Sequence, residues 1–136
     1  MIKLKTLMRE SQEEEDDGYY YHVTPAPYVP MIEQDGLNVN MTPTVSNYKE
    51  HSRGKIFFCD VGALNFWVWR IAAHAFHQFD DEQYHDIAIF RVPKNKLEDV
   101  EIDKEGSDDS RAPAYCVRHD VPPDVLEFVK IVKDAV

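Results

Sequence analysis

A histidine stands where the chain could present it to a ligand. His22 follows three consecutive tyrosines, Tyr19 to Tyr21, and precedes Thr24 and Pro25. Flat aromatic side chains favour strands, whereas a proline cannot donate to a ladder. The pattern therefore predicts a short strand that ends at or near His22 and carries its imidazole to the strand end.

Other side chains with possible chemistry lack the spacing that a site needs. His74 and His77 are three positions apart and could share a metal ion, yet no third ligand stands at a suitable spacing, so we expect no metal site. Cys59 and Cys116 are far apart and form no Cys-x-x-Cys pair, which leaves one disulfide as an open alternative.

The elements around His22 follow from the same stretch. Residues 26–34 carry apolar side chains at helical spacing, and Pro27 and Pro30 fit only a first turn, so a short helix is expected. Gly36 is where a left-handed helix end would need glycine. The composition of residues 38–53 predicts a long polar loop, in which His51 or Arg53 could contact a phosphate, although two solvent-facing side chains are the commoner outcome.

The rest of the chain alternates strands and helices. Residues 55–59 predict a buried strand, and residues 63–79 predict the longest helix. Trp67 and Trp69 are two positions apart, so a helix cannot place both on one face, and one of them should be exposed or line a pocket. The remaining expectations are a strand at 85–92, a helical turn and edge strand at 96–102, a polar loop at 104–112, a strand at 114–118 and a helix near 125–132.

Three stretches together resemble the ADP-ribosyltransferase superfamily, in its poly(ADP-ribose) polymerase-like branch. They are Tyr21-His22-Val23-Thr24 with Ile32 and Gly36-Leu37, then Gly54-Lys55-Ile56-Phe57-Phe58-Cys59-Asp60, and finally Tyr115 to Pro123. The resemblance covers about residues 19–128. It implies an α+β fold with a split, mostly antiparallel β-sheet and flanking short helices, formed by a domain over residues 19–136 behind an N-terminal segment, residues 1–18.

The resemblance also implies a site for NAD as co-substrate. His22 would hydrogen-bond a ribose and be the catalytic residue, and the main chain of Val23 would clasp the nicotinamide amide. Phe57, together with Trp67 or Trp69 from the next helix, would sandwich the nicotinamide ring. The cofactor-binding residues implied in this way are His22, Val23, Thr24, Phe57, Phe58, Trp67 and Trp69. Without the resemblance, Phe57 and Phe58 would be read as core residues.

One functional residue of that family is missing. A glutamate should precede the aromatic residue at Tyr115, and this chain has Ala114 there. Asp108, Asp109 or Asp120 could supply a displaced carboxylate, although the spacing does not indicate it. The chain is therefore either an enzyme that transfers ADP-ribose, with a protein as the expected target, or an inactive module on the same scaffold that serves binding or assembly.

Two further alternatives remain. The RNA 2'-phosphotransferase branch of the superfamily also uses NAD, but residues 57–59 lack the histidine it needs. The matches could also be coincidental in an ordinary α+β domain.

Composition limits partners and compartment. A chain of 136 residues predicts one domain, and its formal net charge of -10 repels a nucleic-acid backbone. Residues 1–18 hold a short apolar stripe and an acidic run but no signal peptide, and no stretch is long enough to span a membrane. The stripe is expected to belong to a terminal helix or strand, or else to dock a partner, and the protein is expected to be soluble and cytoplasmic.

Overall fold

One antiparallel sheet dominates the fold. The computed structural model describes residues 16–40, 54–78 and 82–135. Within these ranges six strands pair in the order β4-β5-β2-β1-β3-β6. The strands are β1 Tyr19–Pro25, β2 Ile56–Cys59, β3 Ile87–Pro93, β4 Glu101–Ile102, β5 Ala114–Val117 and β6 Glu127–Val132. The predicted α+β class with a mostly antiparallel sheet is confirmed.

Short helices flank the sheet. The α-helices of the described ranges are α1 Val29–Asp35, α2 Leu64–Gln78 and α3 Lys104–Ser110. Short 3-10 turns lie at Ala26–Tyr28, Val61–Ala63, Glu82–His85, Lys94–Lys96 and Pro123–Val125. Pro30 is in the first turn of α1, where a missing N–H costs nothing.

Each face of the sheet packs against its own helix. On the first face, Ile32 of α1 meets Phe58, Phe90 and other buried side chains. On the second face, Val68 and Ala72 of α2 meet Tyr21, Cys59 and Ile89. We call these the α1 face and the α2 face. Because side chains alternate along a strand, neighbours on β1 and β2 contribute to opposite faces.

Strand β1 is longer than predicted. It runs through Pro25, so His22 is the fourth of its seven residues and not at its end. Pairing with β3 extends to Pro25, which lies opposite Ile87. The hydrogen bond to β3 at this end comes from the next residue, since Ala26 N donates to Asp86 O at 2.8 Å. The nitrogen of Pro25 then points away from β3 and is not required in that ladder.

Two further predictions were wrong. The polar loop at 104–112 contains helix α3, whose N-cap Asp103 accepts a hydrogen bond from Gly106 N at 3.2 Å. The Asp103 carboxylate stabilises the first turn of α3, and a helix therefore forms despite the polar composition of the segment. The helix expected near 125–132 is instead strand β6, which pairs with β3 and is rich in β-branched residues.

Gly36 ends α1 in a conformation other than the expected left-handed cap. Its φ is 76° and its ψ is -161°, a region that is nearly restricted to glycine. Its N–H donates to Ile32 O at 2.8 Å. A Cβ at this position would lie 2.2 Å from Val121 O. A glycine is therefore required, for close approach as well as for φ.

Several predicted features lie outside the described residues. These are the apolar stripe near the N-terminus, most of the acidic run and of the 38–53 loop, His51 and Arg53. Among the described helices, none is both long enough and apolar enough to cross a membrane.

Candidate functional site

The sheet opens between its two central strands. Among the described residues β1 and β2 share one register pair, Tyr21 opposite Cys59. By contrast β1 pairs with β3 at seven positions and β2 with β5 at four. We call the β1–β2 boundary the seam. It divides the sheet into the β1 half, with strands β1, β3 and β6, and the β2 half, with strands β2, β4 and β5.

The phase of the ladders shows which backbone groups face the seam. At the two ends of the β1–β3 ladder, Ala26 N donates to Asp86 O at 2.8 Å and Lys94 N donates to Gly18 O at 2.9 Å. Even-numbered residues of β1 therefore direct their amides to β3, and odd-numbered ones direct theirs to β2. Val23 consequently directs its N–H and C=O into the seam, just beyond the last pair.

His22 bridges the seam with its side chain. Its Nδ1 lies 2.8 Å from the carbonyl oxygen of Phe57, on β2. A carbonyl can only accept, so Nδ1 carries the proton and Nε2 keeps a lone pair. Burial lowers the pKa of His22, and the bond to Phe57 opposes that shift only in part. The imidazole is therefore neutral at pH 7. Its Nδ1 donates to Phe57 O, and its Nε2 can accept a hydrogen bond from a ligand.

The two phenylalanines of β2 lie on opposite faces. Phe58 belongs to the α1-face core, and its ring centroid is 5.7 Å from that of His22. Phe57 alternates to the α2 face, which it shares with Cys59. The structure thus brings His22 to Phe58, while the Phe57 ring is on the other side of the sheet.

The two tryptophans differ as predicted. Trp69 is 52% exposed, and Trp67 packs on the α2-face core. The indole Nε1 of Trp67 is buried and has no acceptor among the described residues. Phe57 and Trp67 are therefore on the same side of the sheet, as is the side chain of Val23. Thr24 is buried on β1.

The other end of the seam is closed by a polar cluster that the sequence did not suggest. Lys94, which follows β3, reaches Asp60 Oδ1 at 2.8 Å, and Asp60 Oδ2 accepts from Tyr115 Oη at 2.9 Å. Lys94 belongs to the β1 half, while Asp60 and Tyr115 belong to the β2 half. Asp60 precedes the 3-10 turn at Val61–Ala63, but its side chain makes no capping bond.

Aromatic rings surround the ammonium of this cluster. Lys94 Nζ is 4.9 Å from the ring centroid of Tyr20 and 5.8 Å from that of Tyr115, and the two rings meet edge to face at 5.0 Å. A second carboxylate, Asp16, is 3.0 Å from Lys94 Nζ. Burial opposes the charge, but the carboxylates of Asp60 and Asp16 beside the ammonium raise the pKa of Lys94. Burial and the bond to Asp60 raise the pKa of Tyr115 to about 12. We call these five residues the Lys94 clamp.

The carboxylates that the sequence offered in place of a glutamate at Ala114 are engaged elsewhere or exposed. Ala114 is 3% exposed, and its N–H bonds Ser107 Oγ at 2.9 Å. Asp109 pairs with Arg70 at 3.3 Å, Asp120 accepts from Val39 N at 2.9 Å, and Asp108 is exposed on α3.

The described residues hold no cluster of three or more side chains suited to a metal ion. Comparison of the sequence with models of known protein families and with curated proteins gives no match. The functional argument therefore depends on the geometry of the seam.

Proposed function

We propose that this chain is an NAD-binding, ADP-ribosyltransferase-like protein whose dinucleotide site is the seam, and that its target is a protein. The observation that carries the proposal is the arrangement of His22 and Val23. A neutral imidazole crosses the seam where the ladder opens. Next to it, the Val23 backbone is directed into the same opening.

Each of these groups has a suitable role toward NAD. The Nε2 lone pair of His22 would accept a hydrogen bond from a ribose hydroxyl. The main chain of Val23 offers a donor and an acceptor side by side, which is the pattern that a carboxamide requires. Phe57 and Trp67 lie on the opposite side of the sheet from His22, so they would hold the nicotinamide ring between them only if the dinucleotide passes through the open end of the seam.

A second candidate, an inactive module, is favoured by Ala114. This position is buried and apolar, so it offers no charge to stabilise a cationic ribose. On such a scaffold the seam would bind a dinucleotide or a partner without transfer. The two candidates share the site and differ in turnover.

The proposed partner and compartment follow from charge and cysteines. A net charge of -10 disfavours nucleic acid as the substrate. Cys59 and Cys116 are both buried thiols, which suits the reducing cytoplasm. We therefore place the protein in the cytoplasm and its acceptor among proteins.

The test combines binding with turnover. The purified protein is titrated with NAD while its melting temperature and nicotinamide release are measured. Ligand at about 100 times its dissociation constant stabilises the folded state by roughly 2.7 kcal/mol. We expect a rise in melting temperature that His22→Asn abolishes, because asparagine keeps a donor for Phe57 O but lacks the second ring nitrogen.

The matched control is His77→Ala, which removes an exposed histidine of α2. It should leave the NAD response intact. Nicotinamide release that is lost in His22→Asn would establish the enzyme. Binding without release would establish the module. An unchanged melting temperature at saturating NAD would refute both.

A further inference from the structure

Strand β6 forms one edge of the sheet and is exposed along its length. One side of β6 pairs with β3, and no strand of the described ranges pairs with the other side. Phe128 is 45% exposed, Val129 38% and Ile131 39%. An edge with open backbone groups and apolar side chains is a template for an added strand.

A β-bulge organises this edge. Phe90 pairs with Phe128 and Ile89 with Lys130, so Val129 is the extra residue. Because of the bulge, Phe128 and Ile131 both lie on the α1 face, opposite Phe90 and Ala88. The Phe90 and Phe128 rings are 5.6 Å apart.

Phe128 and Ile131 also direct their backbone amides away from β3, toward the open edge. Even-numbered residues of β3 direct their backbone amides to β1, so odd-numbered residues direct theirs to β6. The β6 residues opposite those odd-numbered positions include Lys130 and Val132. The amides of Phe128 and Ile131 then point outward. One pair of residues thus offers both the hydrogen-bonding groups and the apolar side chains.

Charge decides what this edge accepts. Lys130 is exposed on β6 and has no carboxylate partner among the described residues. By contrast Lys133 is paired with Asp86 at 3.4 Å, and Glu127 with Arg91 at 2.7 Å. Lys130 is therefore an unpaired positive charge on this edge, and an incoming strand with carboxylates beside Lys130 would be favoured.

We propose that the outer edge of β6 binds an extended segment of a partner protein in which apolar residues alternate with acidic ones. The segment would add as a seventh strand, with its apolar residues against Phe128 and Ile131 and its carboxylates near Lys130. A second copy of this chain fits less well, because its own β6 carries a single carboxylate, Glu127, which Arg91 already engages. This surface is independent of the seam and of the function proposed there.

The test uses two synthetic octapeptides, one alternating valine with glutamate and one alternating valine with lysine. Binding to the full chain is measured by calorimetry and by amide exchange of Phe128 and Ile131. We expect the acidic peptide to bind at least about tenfold more tightly and to protect both amides. Lys130→Glu should reverse the preference.

The control is Lys104→Glu, which reverses an exposed charge at the start of α3 and should leave the preference unchanged. Phe128→Ser should weaken both peptides. Equal binding of the two peptides, or no binding of the acidic one, would overturn the proposal. So would a concentration-dependent dimer in sedimentation that Phe128→Ser abolishes, since it would assign the edge to a second copy.

Discussion

The two ends of the seam join the same two halves of the sheet by different chemistry. At the closed end the Lys94 clamp links them through an ion pair, a tyrosine hydroxyl and two rings. At the open end the seam is crossed by a single histidine bond, and beyond it by a short bridge in which Leu37 pairs with Val121.

The difference indicates which end is built to stay closed. The clamp pairs Asp60, a carboxylate of low exposure, with the Lys94 ammonium, so separating the halves there would leave that carboxylate without its cation. The open end depends on a neutral side chain and directs backbone groups into the gap. We infer that a ligand enters at the His22 end while the Lys94 end fixes the spacing of the two halves.

The largest expected effect comes from the bridge at the open end. Gly36→Ala should lower the free energy of unfolding by about 2–4 kcal/mol, because it combines an unfavourable φ with a collision against Val121 O. Chemical denaturation measures the change. Gly54→Ala is the matched control, since Gly54 has a φ of +72° but nothing within 4 Å of an added Cβ. It should cost only about 1 kcal/mol. Equal losses would show that the close approach contributes nothing.

The second-largest loss of stability is expected from mutations in the Lys94 clamp. Lys94→Met is expected to cost about 1–3 kcal/mol, because Asp60 loses its cation at a site of low exposure. In a double-mutant cycle Asp60→Asn should cost less in the Lys94→Met background than alone. Arg118→Met removes an exposed pair with Glu101 and should cost under about 1 kcal/mol. Additive losses at Lys94 and Asp60 would contradict coupling across the seam.

A smaller effect should appear with pH. The pKa of His22 is lowered from its ordinary value of 6.5 in the folded state, so the unfolded state binds the proton more readily. The stability due to the neutral imidazole is complete above pH 6.5 and is lost as pH falls toward the folded pKa. One proton gives a slope of at most about 1.4 kcal/mol per pH unit. Denaturation between pH 7.5 and 5 should show a loss of stability toward low pH, and His22→Asn should reduce its slope. The remaining slope belongs to His74, whose pKa burial also lowers. An identical slope in that variant would exclude His22 as its source.

The smallest effect on stability is expected at Trp69. Because its side chain is half exposed, Trp69→Ser should change the free energy of unfolding by about 0.5 kcal/mol or less. Trp67→Ser should cost several times more, since Trp67 packs in the α2-face core. If NAD binds between Phe57 and Trp67, Trp67→Ser should weaken NAD binding and Trp69→Ser should not. Loss of NAD binding in Trp69→Ser would assign the stacking role to the exposed ring.

What the sequence predicted best was local and strongly patterned. Helix α2 and strands β2 and β5 have clear apolar spacing, and their positions agree with prediction to within about two residues. The requirement for glycine at Gly36 was also foreseen. The exact conformation was not, because it depends on Val121, 85 positions further along the chain.

What it missed depends on distant partners. A helical spacing is shared by the apolar residues of this segment, Val125, Leu126, Val129 and Val132. The segment is a strand because it pairs with the edge of β3 that β1 leaves unpaired. The Lys94 clamp joins residues 34 and 55 positions apart. Asp60 and Tyr115 stand in the stretches that carry the family resemblance, but nothing in those stretches links either of them to Lys94. The placement of Phe57 and Phe58 on opposite faces was predictable from strand alternation, whereas the faces themselves became known only with α1 and α2.

The strand order carries a consequence for any motion at the seam. The β1 half uses residues from 19–25, 87–93 and 127–132, and the β2 half uses residues from 56–59, 101–102 and 114–117. The polypeptide therefore passes back and forth between the halves, and no single cut could excise either as an autonomous piece. Any widening around a ligand must be a small flexing within one cooperative unit, restrained by every crossing of the chain.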